Sequence, residues 1–259
     1  MLTDDERRAL ADRILQAIAT GTPIDPPSDT LPLELPDSRA IQNMVVAGIL
    51  ASGAVFTGHK VGFTSKAMQE MYGITSPDFG RLFDRYAHAN GATVATAGLC
   101  DPRVEPEIAF VLRDDLRGPG ATIEDVLDAT AFVCASIEII DSRVGSTRAR
   151  GVDSIADNAG AGGYVLGDVR LGPRDVDLAA IAVSITVDGE TLEGRGEDAM
   201  GHPAAAVAWL ADKLAEFDEG IAAGSVVLPG SVTRSIAVGA GSTLHADFGP
   251  LGAVDVAFA

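Results

Sequence analysis

The run CASIEIIDSR, residues 134–143, sets Glu138 in the middle of an apolar, β-type stretch. A strand this apolar is expected to be buried. An unpartnered carboxylate buried with it would cost several kcal/mol, so any fold open to this chain must bring Glu138 a partner or a metal ion. A second stretch, DPRVEPEIAFVL (101–112), begins with Glu105 and Glu107 either side of a proline and then runs into Ile108 and Phe110. Side chains two apart on a strand share a face, so these two carboxylates point the same way. Alone, an E-x-E pair is better explained as a solvated strand end. Glu138, as a third acid, shifts that balance. Three carboxylates without a cysteine or histidine cluster suit a hard cation, Mg²⁺ or Mn²⁺, with positions left for water and substrate oxygens. Asp141 and Arg143 follow closely, and a structural ion pair between them is the other use for these charges.

With 259 residues, 47% of them hydrophobic, the chain can bury a large core as one large domain or two small ones, and general disorder is excluded. A net charge of −18 leaves no broad basic surface, so neither nucleic acid nor an anionic membrane is an expected partner. Cys100 and Cys134 are too few for a zinc knuckle and read as free thiols in apolar surroundings, which fits a reducing cytoplasm. The opening residues mix acids with bases instead of following a signal-peptide order, and no apolar run approaches the roughly 18 residues of a membrane span. A cytoplasmic protein is the expectation. Only three of the 19 basic residues are lysines, and two of them, Lys60 and Lys66, share the segment HKVGFTSK. Arginine stays protonated, whereas a desolvated lysine can release a proton, so chemistry is one reason to keep a lysine here.

Thr3 and Glu6 form a capping-box pattern ahead of a helix over 3–20 with Leu10, Ile14 and Ile18 on one face. A connector holding five of the 13 prolines follows, then a second helical pattern from Ser38 to about Ser52. From Thr57 the texture becomes short β-type runs broken by glycine. TIED starts a helix near 123–131, Asp188-Gly189 marks a hairpin, and Pro203 opens a helix with Val207, Leu210, Leu214 and Phe217 on one stripe. The tail reads as short strands. The expected architecture is α+β, with residues 1–55 a helical segment packed on a mixed, strand-rich domain of 56–259.

Lys60 lies between glycines in a strand-like run that points its ammonium into a pocket, unless it blunts an edge strand. Asp78 sits in a Pro-Asp-Phe-Gly sequence where an Asx-turn is the plain alternative to catalysis. The glycine-rich DNAGAGGYVLG matches no nucleotide cradle and reads as a tight loop entering a strand. The four histidines lack ligand spacing, and His202 before Pro203 is a helix-entry candidate.

Taken in order, HKVGFTSKAMQ, PDFG, RVEPEIAFVL, IEIIDSR, ADNAGAGGYVLG, GHPAAAVAWLADKL and GPLGAV resemble the 2-oxopent-4-enoate hydratase and 4-oxalocrotonate decarboxylase family of the fumarylacetoacetate hydrolase superfamily. The resemblance implies a mixed β-roll of the fumarylacetoacetate hydrolase C-terminal type. It implies that Glu105, Glu107 and Glu138 hold Mg²⁺ or Mn²⁺, and that Lys60 and Asp78 are the acid–base pair. The implied activity is addition of water to a small 2-hydroxy-2,4-dienoate, giving a 4-hydroxy-2-oxo acid in meta-cleavage catabolism of aromatic compounds. Decarboxylation of a 2-oxo-3-enedioate is the alternative, and a non-catalytic partner subunit of the same fold is a third reading. A homo-oligomer, and a complex with the next enzyme of the pathway, are also implied. Members commonly carry a serine in the loop where this chain has Gly160 and Ala161, which offer no hydroxyl.

Overall fold

The computed structural model describes residues 1–145 and 149–259, with the side chains of 66–68 left aside. Helix α1 (Asp4–Thr20) begins as its cap predicts. Thr3 Oγ1 accepts the Glu6 N–H at 3.3 Å, and Glu6 Oε2 accepts the Thr3 N–H at 2.8 Å. Helix α2 spans Leu35–Ala51 and starts three residues before the expected Ser38, because Asp37 Oδ2 accepts the Glu34 N–H and a proline is tolerated in the first turn. Leu10, Ile14, Ile41, Val45 and Ile49 pack together, and against Phe83 and Ala156 of the remaining chain.

The succession continues with β1 (Phe56–Gly62), α3 (Lys66–Tyr72), β2 (Asp78–Phe83), β3 (Ala87–His88), β4 (Thr93–Val94), β5 (Pro102–Leu112), α4 (Ile123–Ala129) and β6 (Thr130–Asp141). Then come α5 (Gly151–Ala156), β7 (Ala161–Leu166), β8 (Ala182–Val187), β9 (Glu190–Arg195), α6 (Pro203–Ala215), β10 (Val226–Leu228), β11 (Ile236–Ala237), β12 (Thr243–Asp247) and β13 (Ala253–Phe258). The larger sheet runs β2-β1-β10-β5-β6-β7-β3, with β11 against the outer end of β5, and the smaller runs β4-β13-β12-β8-β9. Pairings β1/β10, β3/β7 and β4/β13 are parallel and the rest antiparallel, so the sheets are mixed as expected.

The larger sheet curls until β1 and β2 come round to β7. Arg81 on β2 donates its N–H to Asn158 Oδ1 at 2.8 Å, and Asn158 Nδ2 donates back to the Arg81 carbonyl at 2.9 Å, just ahead of β7. Tyr164 on β7 likewise hydrogen-bonds Thr57 on β1 at 3.1 Å. Helix α6 enters through His202, whose Nδ1 accepts the Ala204 N–H at 3.1 Å, and buries Val207, Leu210 and Leu214 in the principal core with Ile108, Phe110, Ile137 and Ile185. Phe217 falls beyond the helix end and is exposed, so the expected stripe stops at Leu214. Among the described residues no helix is long and apolar enough to cross a membrane.

Candidate active site

β5 and β6 lie side by side in the middle of the larger sheet, in a register that sets Glu105 directly opposite Glu138. With Glu107 two residues along, one carboxylate oxygen from each of the three lies within 4.8 Å of the others. Glu107 and Glu138 are fully buried. Glu107 Oε2 accepts the Gly230 N–H at 2.6 Å, whereas its Oε1 and Glu138 Oε2 have no partner among the described residues.

Lys60 on β1 joins them. Its Nζ is 3.0 Å from Glu138 Oε1 and donates to the Ala159 carbonyl at 3.0 Å. Three strand steps separate β1 from β6, about 14 Å in a flat sheet, which a lysine cannot reach across. The curl puts the ammonium over the acids. The Ala159 carbonyl is aimed by an unusual turn in which Asn158, Ala159 and Gly160 all have φ between 53° and 68°. A non-glycine residue in that region is uncommon, and the Arg81–Asn158 bonds hold the turn in place.

Burial pushes Lys60 towards its neutral form, but the charges of Glu138, Glu105 and Glu107 outweigh it and hold the ammonium above its ordinary value. The Glu105 carboxyl is pushed up to about 7, by burial first and then by the Glu138 charge. Glu107 is raised well above the usual carboxylate range by burial and by both neighbours. Three carboxylates against one ammonium leave two negative charges unbalanced when all are ionised. Orphaned buried oxygens, an all-oxygen donor set and this charge deficit fit a divalent cation such as Mg²⁺.

Asp78 opens β2 opposite Gly62 and is buried in an ion pair with Arg39 of α2. Strand pairing and the guanidinium, both distant in sequence, override the turn that Pro-Asp suggests. Burial raises its carboxyl and Arg39 opposes that rise. Asp141 and Arg143 are not a side-chain pair. Arg143 Nε donates to Asp157 Oδ1 at 2.7 Å, and Asp141 Oδ1 accepts the Cys100 and Asp101 N–H groups at 2.7 and 2.8 Å. His59 is buried edge-on to Phe56 and Phe79, and burial lowers its imidazole to about 3, so it is neutral. Arg39, the Gly230 amide and the Ala159 carbonyl were missed from sequence. The positive-φ glycines at 160 and 230 were the nearest signals of close backbone approach.

The curled mixed sheet, with helices packed at its end and an acidic cluster on its central strands, defines a β-roll protein of the fumarylacetoacetate hydrolase type. The solved 4-oxalocrotonate decarboxylase from Pseudomonas putida G7, complexed with magnesium and adipate, superposes with a TM-score of 0.95 at 31% identity, covering 100% of this chain and 99% of that one. A 2-keto-4-pentenoate hydratase of Burkholderia vietnamiensis is 38% identical over 260 residues, 100% of this chain and 99% of its own length. A 2-hydroxyhexa-2,4-dienoate hydratase of Comamonas testosteroni is 38% identical over 250 residues, 95% of each. No family model matches the chain. On these full-length likenesses the chain belongs to the 2-keto-4-pentenoate hydratase family, which the sequence motifs had suggested.

Proposed function

We propose that this chain is a metal-dependent hydro-lyase that adds water to a small 2-hydroxy-2,4-dienoate, with Glu105, Glu107 and Glu138 holding Mg²⁺ or Mn²⁺ and Lys60 and Asp78 moving protons. The observation that carries the reading is the set of buried, unpartnered carboxylate oxygens on Glu107 and Glu138 beside a buried lysine. The hydratase names of full-length relatives support the reaction. A divalent cation bound there would supply positive charge for the substrate carboxylate and for the negative charge that develops on its 2-oxygen.

The residues of the chain do the rest. Lys60 Nζ has three N–H groups, and the Ala159 carbonyl and Glu138 occupy two directions, leaving one for the substrate. Lys60 and Asp78 relay the proton lost from the 2-hydroxyl to C5, which gives the 2-oxo-3-enoate. Water then adds through oxygen at C4, its proton passing to a base of the pair while C3 gains one, and the product is a 4-hydroxy-2-oxo acid. Asp78 suits the basic partner because Arg39 favours its ionised form.

Decarboxylation of a 2-oxo-3-enedioate is the second reading, favoured by the likeness to the decarboxylase structure. Product analysis separates them. With Mg²⁺ and 2-hydroxypenta-2,4-dienoate the expected outcome is loss of dienol absorbance with stoichiometric 4-hydroxy-2-oxopentanoate. Release of CO₂ from 2-oxohex-3-enedioate, with no hydration of the dienoate, would establish the decarboxylase instead. We further infer a homo-oligomer that works in the cytoplasm, where Cys100 and Cys134, both unpaired, stay reduced, and that can hand its product to the next enzyme of the pathway.

A further inference from the structure

Arg39 belongs to α2, whereas Asp78 belongs to the main sheet. The guanidinium Nη2 is in close contact with Asp78 Oδ1, with the two side chains 13% and 2% exposed. No other cation of the described residues comes within ion-pair distance of Asp78. The guanidinium is itself braced. Its Nη1 donates to Gln42 Oε1 at 3.1 Å, and Gln42 Nε2 donates to the Phe79 carbonyl at 2.8 Å. The guanidinium carbon lies over the Phe79 ring, 4.4 Å from its centroid. Arg39 is thus fixed by the residue next to the one it grips.

A solvated ion pair needs none of this bracing, and a buried carboxylate left alone would take up a proton. Arginine will not surrender one near neutral pH, and its rigid planar fork sets Asp78 and Gln42 in one fixed geometry, which the single nitrogen of a flexible lysine does not impose. The charged groups that act on Asp78 are Arg39 from α2 and, more weakly, Lys60 from β1. We propose that Arg39 is a positioning residue for Asp78, so that a helix of the N-terminal segment completes the reaction site built on the sheet. This rests on the acid–base role of Asp78 proposed above.

The test uses the full chain with saturating Mg²⁺. It compares wild type, Arg39→Met, Arg39→Lys, Asp78→Asn and the Arg39→Met/Asp78→Asn double variant, with kcat, KM and pH profile measured on the dienol substrate and a melting curve for each. Asp78→Asn is expected to lower kcat by roughly 10²- to 10⁴-fold. Arg39→Met is expected to lower it by roughly 10²-fold with little change in KM, and to move the acid limb of the pH profile upward because only the Phe79 amide and the Lys60 charge then oppose the burial of Asp78. Arg39→Lys should restore the acid limb but only part of the rate. In the Asp78→Asn background, Arg39→Met should cost nothing further. An equal loss from Arg39→Met with and without the Asp78 carboxylate would overturn the proposal and leave Arg39 a brace of the fold. So would a wild-type rate and profile in Arg39→Lys, which decides the matter if Arg39→Met does not fold. Wild-type turnover by Asp78→Asn would instead remove the acid–base role of Asp78, and the Arg39 proposal with it.

Discussion

Metal-free protein should lose stability as pH rises, and replacing Glu105 by glutamine should remove the share that Glu105 contributes, leaving that of the buried Glu107. A carboxyl whose folded value lies above its unfolded one favours folding most when protonated. The penalty is therefore absent below about 4.5, grows as pH rises, and is complete once pH passes the folded value of about 7 for Glu105. The difference between 4.5 and about 7 corresponds to about 3 kcal/mol. This is an upper bound, because one side of Glu105 is open to solvent. At roughly 2–4 °C per kcal/mol for a chain of this size, chelator-treated Glu105→Gln should melt up to about 6–12 °C above chelator-treated wild type at pH 8, and level with it at pH 4.5. Mg²⁺ at about 100 times its Kd adds about 2.7 kcal/mol to a protein that binds it only when folded. Wild type should therefore rise with Mg²⁺ while the variant rises little. Differential scanning calorimetry at both pH values, with EDTA and with Mg²⁺, reads all of these. If metal-free Glu105→Gln melted below wild type at pH 8 and kept the full Mg²⁺ shift, Glu105 would be neither strained nor a ligand.

Lys60→Arg keeps the positive charge beside Glu138 but cannot release a proton, so turnover should fall by roughly 10²- to 10⁴-fold while calorimetric Mg²⁺ binding persists; a wild-type rate would reduce Lys60 to electrostatics. Gly80→Ala would place a Cβ 2.3 Å from the Asn158 carbonyl oxygen, displacing the turn that aims Ala159 at Lys60. Its kcat should drop by roughly 10²-fold with the fold intact by circular dichroism, and an unchanged kcat would show that the turn does not position Lys60.

Local features were legible in the sequence wherever the physics was local. The Thr3–Glu6 cap, the Asp188-Gly189 turn between β8 and β9, and Pro203 in the first turn of α6 act within a few residues, and each lies where its chemistry places it. Glu105 and Glu107 on one face follow from strand periodicity alone. That Glu138 pairs across from Glu105 does not, because it depends on a register between segments about thirty residues apart. Asp78 was ambiguous because Pro-Asp favours a turn in isolation, while its partner Arg39 lies one helix and one strand earlier. Arg143 looked suited to Asp141, two residues away, yet the carboxylate it needs belongs to Asp157, beyond α5. A helix-surface arginine such as Arg39 carries no local mark of what it will touch.

The three glutamates project from the middle of a hydrogen-bonded ladder, whereas their surroundings come from connections: the Asn158–Gly160 turn, the Gly230 loop after β10, and the segment leading from β1 to Asp78. Inheritance acts differently on the two parts. A residue inserted into β5 or β6 would shift the register and scatter the carboxylates, so descendants should keep those strands at fixed length. The connections tolerate change except where their backbone grips the site, at the Gly230 amide on Glu107 and the Ala159 carbonyl on Lys60, so preference among substrates can drift through the rest of them over a fixed ladder.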